Sequence, residues 1–550
     1  MPARRRSWWG WGWEDSALGA EQVEKLRSSL AAAFNRELPL ADPPDLGRVD
    51  LRPPRVRPPD ALSPMMSSDT FDRAGHTYGK SYRDVVRGFS GNLPHPPDLV
   101  AFPTSEADVI ALLDWCASAG IAVIPYGGGS SVVGGVEPDV GDGFGAVVSV
   151  DLTRLDRVLE IDEVSRAARI QAGVLGPSLE DQLRPHGYTL RHFPQSFEFS
   201  TLGGWLATRS GGHYATVYTH IDDMVESMRV VTPAGVSESR RLPGSGAGPS
   251  PDRLLLGSEG ALGIITEAWM RIQDRPVYKT SAGVHFGDYR DGVAATRAIS
   301  QAALFPTNCR LLDAGEAMTS AGVHDGSTLL VLGFESADHP RTEWMSTALE
   351  ICAEHHGAVP EGVKEVDRSE EDVRDDEGAV GEWRNAFIRA PYGRDAMVRM
   401  SVIADTFETA CTWDAFGDLH SGVMTGIPRA LAEICGSGGW VTCRFTHVYP
   451  DGPAPYFTVV APGRAGSEVA MWDEIKAAAA EIVLSNGGTI THHHAVGRDH
   501  MPWYQRQRPD LYGRALAGAK AALDPAGVMN PGVLVPLGSD AGEGAASRLG

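Results

Sequence analysis

The amino-acid sequence predicts an α+β protein with two lobes and a helical extension in front of them. Strand and helix signals alternate from about Pro97 to Gln273, and a second alternation runs from about Tyr278 to Pro450. Pro276 lies between the two stretches. The chain of 550 residues is also too long for one ordinary hydrophobic core. We therefore expect separate lobes rather than a single domain.

The elements of each lobe follow from apolar periodicity and from end signals. The extension, residues 1–60, holds a predicted helix over Gln22–Asn35 and then a proline-rich connector. For the first lobe, residues 61–276, we predict a helix over 106–119 and strands over 121–125 and 146–150. For the second lobe, residues 277–505, we predict helices over 291–303, 341–356, 412–427 and 470–484 and strands over 327–334 and 456–461. We expect a last helix from Arg514 within residues 506–535 and a disordered tail over 536–550.

Two segments between these elements are predicted to be exposed. Pro243–Pro251 is rich in glycine, serine and proline and interrupts the first lobe. Glu361–Glu382 is densely charged and acidic, which predicts a solvated or mobile loop.

Composition and charge exclude several classes of protein. The net charge is −22, from 49 basic and 71 acidic side chains, so the surface repels phosphate backbones and nucleic-acid binding is not expected. The net charge does not exclude a basic pocket for a small anion. The six cysteines are scattered and form no C-x-x-C pair, so we expect a reducing compartment and no structural zinc.

The N-terminus carries three arginines, residues 4–6, followed by Trp8, Trp9, Trp11 and Trp13. It has no apolar core of a signal peptide, and no run of about 20 apolar residues occurs elsewhere in the chain. We therefore expect a cytoplasmic protein. The tryptophans either pack against the body of the protein, which is the simpler interpretation, or contact a membrane interface. Peripheral membrane contact stays open.

The first motif that carries chemistry is a run of glycines after a predicted strand. Residues 125–131 spell Pro-Tyr-Gly-Gly-Gly-Ser-Ser. Successive glycines let consecutive N–H groups converge into a nest for an anion such as a pyrophosphate. The run is not the Rossmann pattern, because G-x-G-x-x-G is absent and the predicted helix precedes the strand. Taken alone, the run fits a tight turn as well as it fits an anion nest.

Two further motifs combine small residues with hydroxyl groups. One runs from Pro194 to Gly204 and continues to Gly212, and the other covers Gly257–Thr266. Small residues allow the backbone to approach a ligand closely, and hydroxyl groups can hydrogen-bond it. Each motif taken alone fits a turn, whereas the three in this order are far more specific.

Together the three motifs resemble the FAD-binding domain of the vanillyl-alcohol-oxidase superfamily, where these loops hold the pyrophosphate, ribityl chain and isoalloxazine. The resemblance implies a two-lobed protein: an FAD-binding domain over 61–276, an α/β cap domain over 277–505, and a C-terminal segment, 506–535, that returns to the first domain. No histidine or cysteine stands within Gly127–Gly135, so we expect non-covalent FAD. The implied cofactor-binding residues are Pro125, Tyr126, Gly127, Gly128, Gly129, Ser130, Ser131, Gln195, Ser196, Phe197, Glu198, Phe199, Ser200, Thr201, Thr208, Arg209, Ser210, Gly211, Glu259, Gly260, Ala261, Leu262, Gly263, Ile264 and Ile265.

Within that superfamily the chain is most similar to the alkyldihydroxyacetonephosphate synthase family. The similar motifs are Trp-Gly-Trp-Gly-Trp at 9–13, Ser-Phe-Glu-Phe-Ser-Thr-Leu-Gly-Gly-Trp at 196–205, Cys-Arg-Leu-Leu-Asp at 309–313, Thr-Cys-Arg at 442–444 and His-His-His-x-Val-Gly at 492–497. The resemblance implies exchange of the acyl group of acyl-dihydroxyacetone phosphate for a long-chain alcohol through an adduct at flavin N5. Such a lipid-like small molecule requires an apolar tunnel.

The resemblance also implies roles for individual residues. The arginine matching Arg310 supports the active site, and the one matching Arg444 holds the substrate near the flavin. A tyrosine matching Tyr456 accepts a proton, and the histidines matching His492–His494 support the same chemistry. The residue types are suitable, because guanidinium groups bind phosphate and a phenol beside imidazoles and arginine can have its pKa lowered.

The three consecutive histidines follow a helix-stop signal at Asn486-Gly487-Gly488. The β-branched residues around them predict a strand over Thr489–Val496. In a strand His492 and His494 face one side and His493 the other, so the three cannot bind one metal ion. The residues alone leave open ordinary buried histidines, a metal site, and polar catalysis at a cofactor. Beside the flavin motifs we interpret them as acid/base groups and expect no metal. In the expected register His492 and His494 lie next to the substrate and His493 braces the strand. A shift of register by one residue would reverse these positions.

The main alternative function is an FAD-dependent oxidase or dehydrogenase of a 2-hydroxy acid or alcohol. Several such relatives carry a metal-binding His-x-Gly-Asp-Gly-Asn-x-His stretch. Here the comparable place is Thr446–Gly452, and Tyr456 stands beyond it instead of a second histidine. That difference argues against the metal-dependent branch but leaves a metal-free oxidase open. The sequence also leaves open whether the protein forms a homodimer. A flavin-free binding protein is disfavoured because all three motifs are intact.

Overall fold

The computed structural model describes residues 4–218, 220–367, 389–436 and 438–537. The helices are α1 Ala20–Phe34, α2 Thr70–Gly75, α3 Tyr82–Phe89, α4 Glu106–Ala119, α5 Gly176–Leu183, α6 Leu202–Thr208, α7 Ala215–Tyr218, α8 Pro251–Leu255, α9 Tyr289–Gln301, α10 Ala314–Ala321, α11 Thr342–Glu354, α12 389–398, α13 Phe416–Cys435, α14 Glu468–Ser485, α15 Met501–Gln507 and α16 Asp510–Leu523. This mixture of helices with the strands below confirms the predicted α+β class.

The strands are β1 Met66–Ser67, β2 Leu99–Ala101, β3 Ile121–Tyr126, β4 Ala146–Asp151, β5 Val158–Asp162, β6 Ala167–Gln171, β7 Tyr188–Thr189, β8 Val225–Thr232, β9 Gly235–Glu238, β10 Ile264–Arg271, β11 Gln273–Asp274, β12 Tyr278–Phe286, β13 Asn308–Leu312, β14 Thr328–Ser336, β15 Lys364–Asp367, β16 Val402–Glu408, β17 Trp440–Val448 and β18 Pro453–Pro462. The strands of the first lobe form two sheets and a two-stranded ribbon of β7 and β11. The strands of the second lobe form one large sheet.

The first lobe places the glycine-rich motif at the end of a buried strand. Its four-stranded sheet has the order β1-β2-β4-β3, with β2, β4 and β3 parallel, and its five-stranded antiparallel sheet has the order β5-β6-β10-β8-β9. Helix α4 has the predicted bounds because Ser105 and Asp108 form a capping box and Gly120, at φ +63°, ends the helix. Val528 and Asn530 hydrogen-bond the backbone of Val123, which brings the C-terminal segment beside β3.

The second lobe is built on a seven-stranded antiparallel sheet of order β15-β12-β14-β13-β17-β18-β16. Helices α9, α11, α13 and α14 pack on it through apolar side chains. The register pairs Tyr456 on β18 with Arg444 on β17 and with Glu408 on β16. Three neighbouring strands therefore carry these polar side chains in one row across the sheet.

Most predicted elements form with shifted ends, but the strand predicted over Thr489–Val496 is wrong. This segment is irregular, because the N–H groups of residues 492–494 bind the carboxylate of Glu408 and those of Val496 and Gly497 bind Glu259 instead of a neighbouring strand. The predicted acidic loop is also wrong at residues 364–367, which form β15. The rest of that loop, residues 368–382, and the tail from residue 538 lie outside the described residues.

The N-terminal tryptophans pack against the body, as the simpler interpretation predicted. Residues 5–14 form a turned segment, here named the Trp hairpin, in which Ser7 N–H donates to Gly12 O and Glu14 N–H donates to Arg5 O. Trp8 and Trp11 are only 6% and 8% exposed. The predicted exposed loop near residues 243–251 is confirmed. No helix in the described ranges combines the length and apolar character that a membrane span requires.

Candidate active site

A cavity of about 380 Å³ lies between the two lobes. The first lobe lines it with the loops of all three sequence motifs. The second lobe lines it with residues of β16, β17 and β18 and with α12. The sequence motifs therefore face the same space as Arg444 and Tyr456 of the large sheet.

The glycines after β3 are required by the close approach of two loops. A Cβ atom on Gly128 would lie 1.7 Å from the carbonyl oxygen of Phe199, and one on Gly127 would lie 2.3 Å from Thr201 Oγ1. Gly129 adopts φ +68°, the left-handed conformation that favours glycine. The backbone of this loop is thus exposed to the cavity without side chains, which fits the anion nest that a dinucleotide cofactor needs.

Most of the predicted cofactor-binding residues line the cavity, and a few do not. Phe199 is buried and packs on Trp11 and Trp13, whereas Glu198 bonds Trp13 Nε1. Arg209 forms an ion pair with Asp222. Phe197, Ala261 and Leu262 also lie outside the lining, the last two in the core. The lining includes Pro125, Tyr126, Gly127, Gly128, Gly129, Ser130, Ser131, Gln195, Ser196, Ser200, Thr201, Thr208, Ser210, Gly211, Glu259, Gly260, Gly263, Ile264 and Ile265.

Two carboxyl groups hold the histidine segment, one from each lobe. Glu408 on β16 accepts the N–H groups of His492, His493 and His494 at 2.7, 3.1 and 2.9 Å and the Thr491 hydroxyl at 2.5 Å. Glu259 from the third motif accepts the N–H groups of residues 496 and 497 at 2.9 and 2.8 Å. The segment therefore runs from β16 of the large sheet to the third motif, and its backbone is fixed at both ends.

This geometry corrects the predicted positions of the histidines. His493 and His494 line the cavity and His492 does not, so strand alternation is wrong here. The rings of His493 and His494 lie 6.0 and 5.6 Å from the ring of Tyr456. His492 instead hydrogen-bonds Tyr449 Oη at 3.0 Å.

One group of three imidazoles could hold a metal ion by spacing alone. Ligand atoms of His447, His492 and His493 lie within 4.8 Å of one another. Protein partners already use several of these nitrogens: the Nδ1 atoms of His492 and His493 share a hydrogen bond of 3.1 Å, and His447 Nε2 bonds Gly212 O at 3.0 Å. The expectation that the protein holds no metal stays a prediction.

The histidines beside the cavity are neutral near pH 7. Burial lowers the pKa of His492 to about 4 and lowers the pKa of His493 well below its usual value, although the charge of Glu408 acts in the opposite direction. The pKa of His494 is lowered for the same reason. Burial alone would raise the pKa of Glu408, but the adjacent histidines and Thr491 lower it, so the carboxylate is ionised. Neutral imidazoles beside a fixed anion are suited to accept a proton.

The lowered pKa expected for Tyr456 is wrong. Burial raises the pKa of its phenol and outweighs the opposing effects of Arg444, whose guanidinium carbon lies 4.1 Å from the ring centre, and of the hydrogen bond to Thr406. The hydroxyl donates to Thr406 Oγ1 at 2.9 Å. Tyr456 is therefore a neutral phenol near pH 7.

Two buried guanidinium groups face the cavity. Arg444 pairs with Glu316 on α10 at 2.5 Å, which offsets its charge. Arg310 on β13 donates to His213 O at 3.4 Å. Burial and the positive charge of Arg444 lower the pKa of Arg310 to about 9. A bound anion would stabilise the charge on Arg310, so this end of the cavity suits a phosphate.

Sequence reasoning missed several residues that line the cavity. Trp11, His213, Arg394, Thr406 and His447 all contribute to its wall. Thr406 lies on the same face of β16 as Glu408, two residues before it, but neither residue stands in a motif of the sequence, so no local signal marks it. Arg394 on α12 has none, because that helix approaches the cavity only through tertiary packing.

We expect replacement of Glu408 by glutamine to destabilise the folded protein. The amide cannot supply the negative charge that faces three N–H donors and two imidazoles, and breaking a buried charged network costs about 3 kcal/mol of unfolding free energy. Urea denaturation of both proteins measures the difference. Glu481→Gln is the matched control, because Glu481 pairs with Arg506 at the surface, where solvent screens the two charges and their loss changes stability little. Equal effects of the two changes would contradict this role of Glu408.

Known proteins are similar to this chain in sequence and in fold. Residues 97–238 match the FAD binding domain family, and residues 275–534 match the family of FAD linked oxidases, C-terminal domain. Alkyldihydroxyacetonephosphate synthase from Dictyostelium discoideum is 33% identical over 86% of this chain and 79% of its own length. The enzyme of that name from Trypanosoma brucei brucei is 31% identical over 88% of this chain and 82% of its own length.

A solved structure of an alkyldihydroxyacetonephosphate synthase superposes with a TM-score of 0.78 at 27% identity and covers 96% of this chain and 98% of that chain. These similarities confirm the predicted two-lobed FAD-binding fold and FAD as the cofactor. The chain is an FAD-dependent enzyme that belongs to the alkyldihydroxyacetonephosphate synthase family.

Proposed function

We propose that the protein exchanges the acyl group of acyl-dihydroxyacetone phosphate for a long-chain alcohol. The observation that carries this proposal is the convergence on one cavity of two buried guanidinium groups, neutral imidazoles and the three flavin loops. In the exchange, the bond between C1 and the acyl oxygen breaks and the fatty acid leaves as a carboxylate. A new bond then forms between C1 and the alcohol oxygen.

The arginines bind the phosphate in this proposal. Arg310 is 3% exposed and Arg444 8%, so both hold their charge in a poorly solvated wall where a phosphate dianion interacts strongly. Glu316 fixes the orientation of Arg444. Arg310 is the principal ligand, because its charge is destabilised by burial and by Arg444.

The proton at C1 goes to an imidazole. His493 and His494 line the cavity and are neutral, whereas Tyr456 keeps its own proton because its pKa is raised. The ionised carboxylate of Glu408 stabilises the imidazolium that forms, and it lies 3.5 Å from His493 Nδ1. The proton of the attacking alcohol passes to the second neutral imidazole of the pair, and the imidazolium formed first returns its own proton to C1, so that the exchange releases one proton with the carboxylate. Tyr456 orients the reacting groups through its hydroxyl.

The flavin loops would hold FAD without a covalent bond. Residues 127–131 offer the backbone nest, and Ser200, Thr201 and Ser210 offer hydroxyl groups around it. When bound, the flavin supplies the ring chemistry that allows the exchange to proceed without net electron transfer.

The cap end of the cavity suits hydrocarbon chains. Its wall includes Ala390, Met397, Ala404 and Val460, which are apolar. A cytoplasmic location with peripheral contact at a membrane belongs to the same proposal, since a long-chain alcohol resides in the bilayer.

One experiment separates this function from that of an oxidase. The purified yellow protein is mixed anaerobically with palmitoyl-dihydroxyacetone phosphate, and hexadecanol is then added. We expect loss of the flavin absorbance near about 450 nm, its recovery with the alcohol, and an ether product without any electron acceptor. Turnover of a 2-hydroxy acid that requires an acceptor, with no ether formed, would identify an oxidase instead.

A further inference from the structure

The Trp hairpin, residues 5–14, contacts the flavin site although it precedes the part of the chain that the FAD-binding family covers. Arg6 Nη2 donates to the carbonyl oxygen of Gly128 at 2.9 Å. The guanidinium carbon of Arg6 also lies 5.0 Å from the ring centre of Phe199, which belongs to the second motif. One side chain of the hairpin thus touches both loops that meet at Gly128.

The hydrogen bond from Arg6 fixes a peptide plane of the anion nest. Because a peptide unit is planar and trans, the N–H of Gly129 points away from the Gly128 carbonyl and therefore away from Arg6. The guanidinium of Arg6 is brought next to this loop by the same hydrogen bond. The backbone N–H of Lys80, a buried residue, donates to Ser131 O at 2.6 Å and also holds the loop in place. A cationic group next to a nest strengthens the binding of a pyrophosphate.

The other side of the hairpin holds α12 over the cavity. Trp11 lines the cavity, and its N–H donates to Asp395 Oδ2 at 2.5 Å. A Cβ atom on Gly12 would lie 2.2 Å from the hydroxyl of Tyr392 on the same helix. Trp11 and Trp13 each meet the ring of Phe199 edge-on with centroids 5.6 Å apart. The hairpin therefore joins α12 of the cap to the flavin loops of the first lobe.

We propose that the Trp hairpin is a fourth element of the FAD site, in which Arg6 positions the glycine-rich loop and Trp11 closes the cavity over the cofactor. Its function is to retain FAD. The inference rests on FAD binding alone and not on the exchange reaction, so failure of the synthase assay would leave it unaffected.

The test compares neighbouring arginines of the hairpin. Arg6→Ala and Trp11→Ala should each increase the rate of FAD release about tenfold, the effect of one charge-assisted or well-packed contact. Arg5→Ala is the matched control, because Arg5 also lies over an aromatic ring, that of Phe71, but is half exposed and contacts no flavin loop. We expect it to release FAD within twofold of the unchanged protein. Release is followed by the fluorescence of free flavin after dilution.

A second measurement separates cofactor retention from simple loss of stability. The thermal midpoint of each apoprotein is recorded without FAD and with the same excess of FAD, since at a fixed ligand concentration the stabilisation rises with the logarithm of the affinity. We expect a smaller FAD-induced shift for Arg6→Ala and Trp11→Ala than for Arg5→Ala, whatever the midpoint of the apoproteins. FAD release and FAD-induced shifts equal to those of the unchanged protein would overturn the proposal.

Discussion

Replacement of His493 by asparagine should lower the turnover number by about 10²- to 10⁴-fold, the usual contribution of a positioned general base. His493 lines the cavity and faces the ring of Tyr456, and its imidazole is neutral because burial lowers its pKa. Asparagine keeps the polarity and the backbone bond to Glu408 but cannot accept the proton. Steady-state turnover with saturating acyl-dihydroxyacetone phosphate and hexadecanol measures the loss, and absorbance confirms that FAD is retained.

His492→Asn is the control for this change, because His492 has the same partner, Glu408, yet stands outside the cavity lining. We expect a loss of about tenfold or less, since the proton acceptor remains.

The unchanged enzyme should also keep its turnover as the pH falls from about 8 to about 6, because a base with a lowered pKa stays unprotonated there, whereas an ordinary histidine would titrate near pH 6.5. Equal losses for both variants, or a decline centred near that pH, would contradict the assignment.

Replacement of Gly128 by alanine should weaken FAD binding by about 100-fold or more. The added Cβ atom would lie 1.7 Å from the Phe199 carbonyl oxygen and 2.9 Å from Ser200 Cα, so the two flavin loops must separate. Overpacking of this kind costs about 3 kcal/mol, and the displaced loops lose the convergence of N–H groups that an anion requires. Titration of the apoprotein with FAD, followed by quenching of flavin fluorescence, measures the change in Kd.

Gly143→Ala provides the comparison, since a Cβ atom there meets nothing within 4 Å. We expect its Kd for FAD to match that of the unchanged protein. Tight FAD binding by Gly128→Ala would show that the loop does not need the close approach seen between Gly128 and Phe199.

The order of strands and helices and the three flavin motifs were accessible from the sequence, because both depend on local patterns. The bounds of α4 follow from Ser105 and Gly120, a cap at each end of an apolar repeat. The glycine-rich loop follows β3 directly, so its backbone must turn where the sequence places the glycines. Local rules failed at Thr489–Val496, where β-branched residues favour a strand but Glu408 and Glu259 take the backbone donors.

The sequence by itself determined the fold class, the cofactor loops and the residue types of the site: arginine, tyrosine and histidine. Only the tertiary structure decided which of them meet and how they titrate. His493 replaces His492 at the cavity, and Tyr456 keeps its proton, because burial and distant partners such as Glu408 and Arg444 set these properties. Trp11 and Arg394 line the same cavity although they are about 380 residues apart in the chain. Side-chain pKa values and such long-range contacts depend on packing in space, which no local pattern of residues encodes.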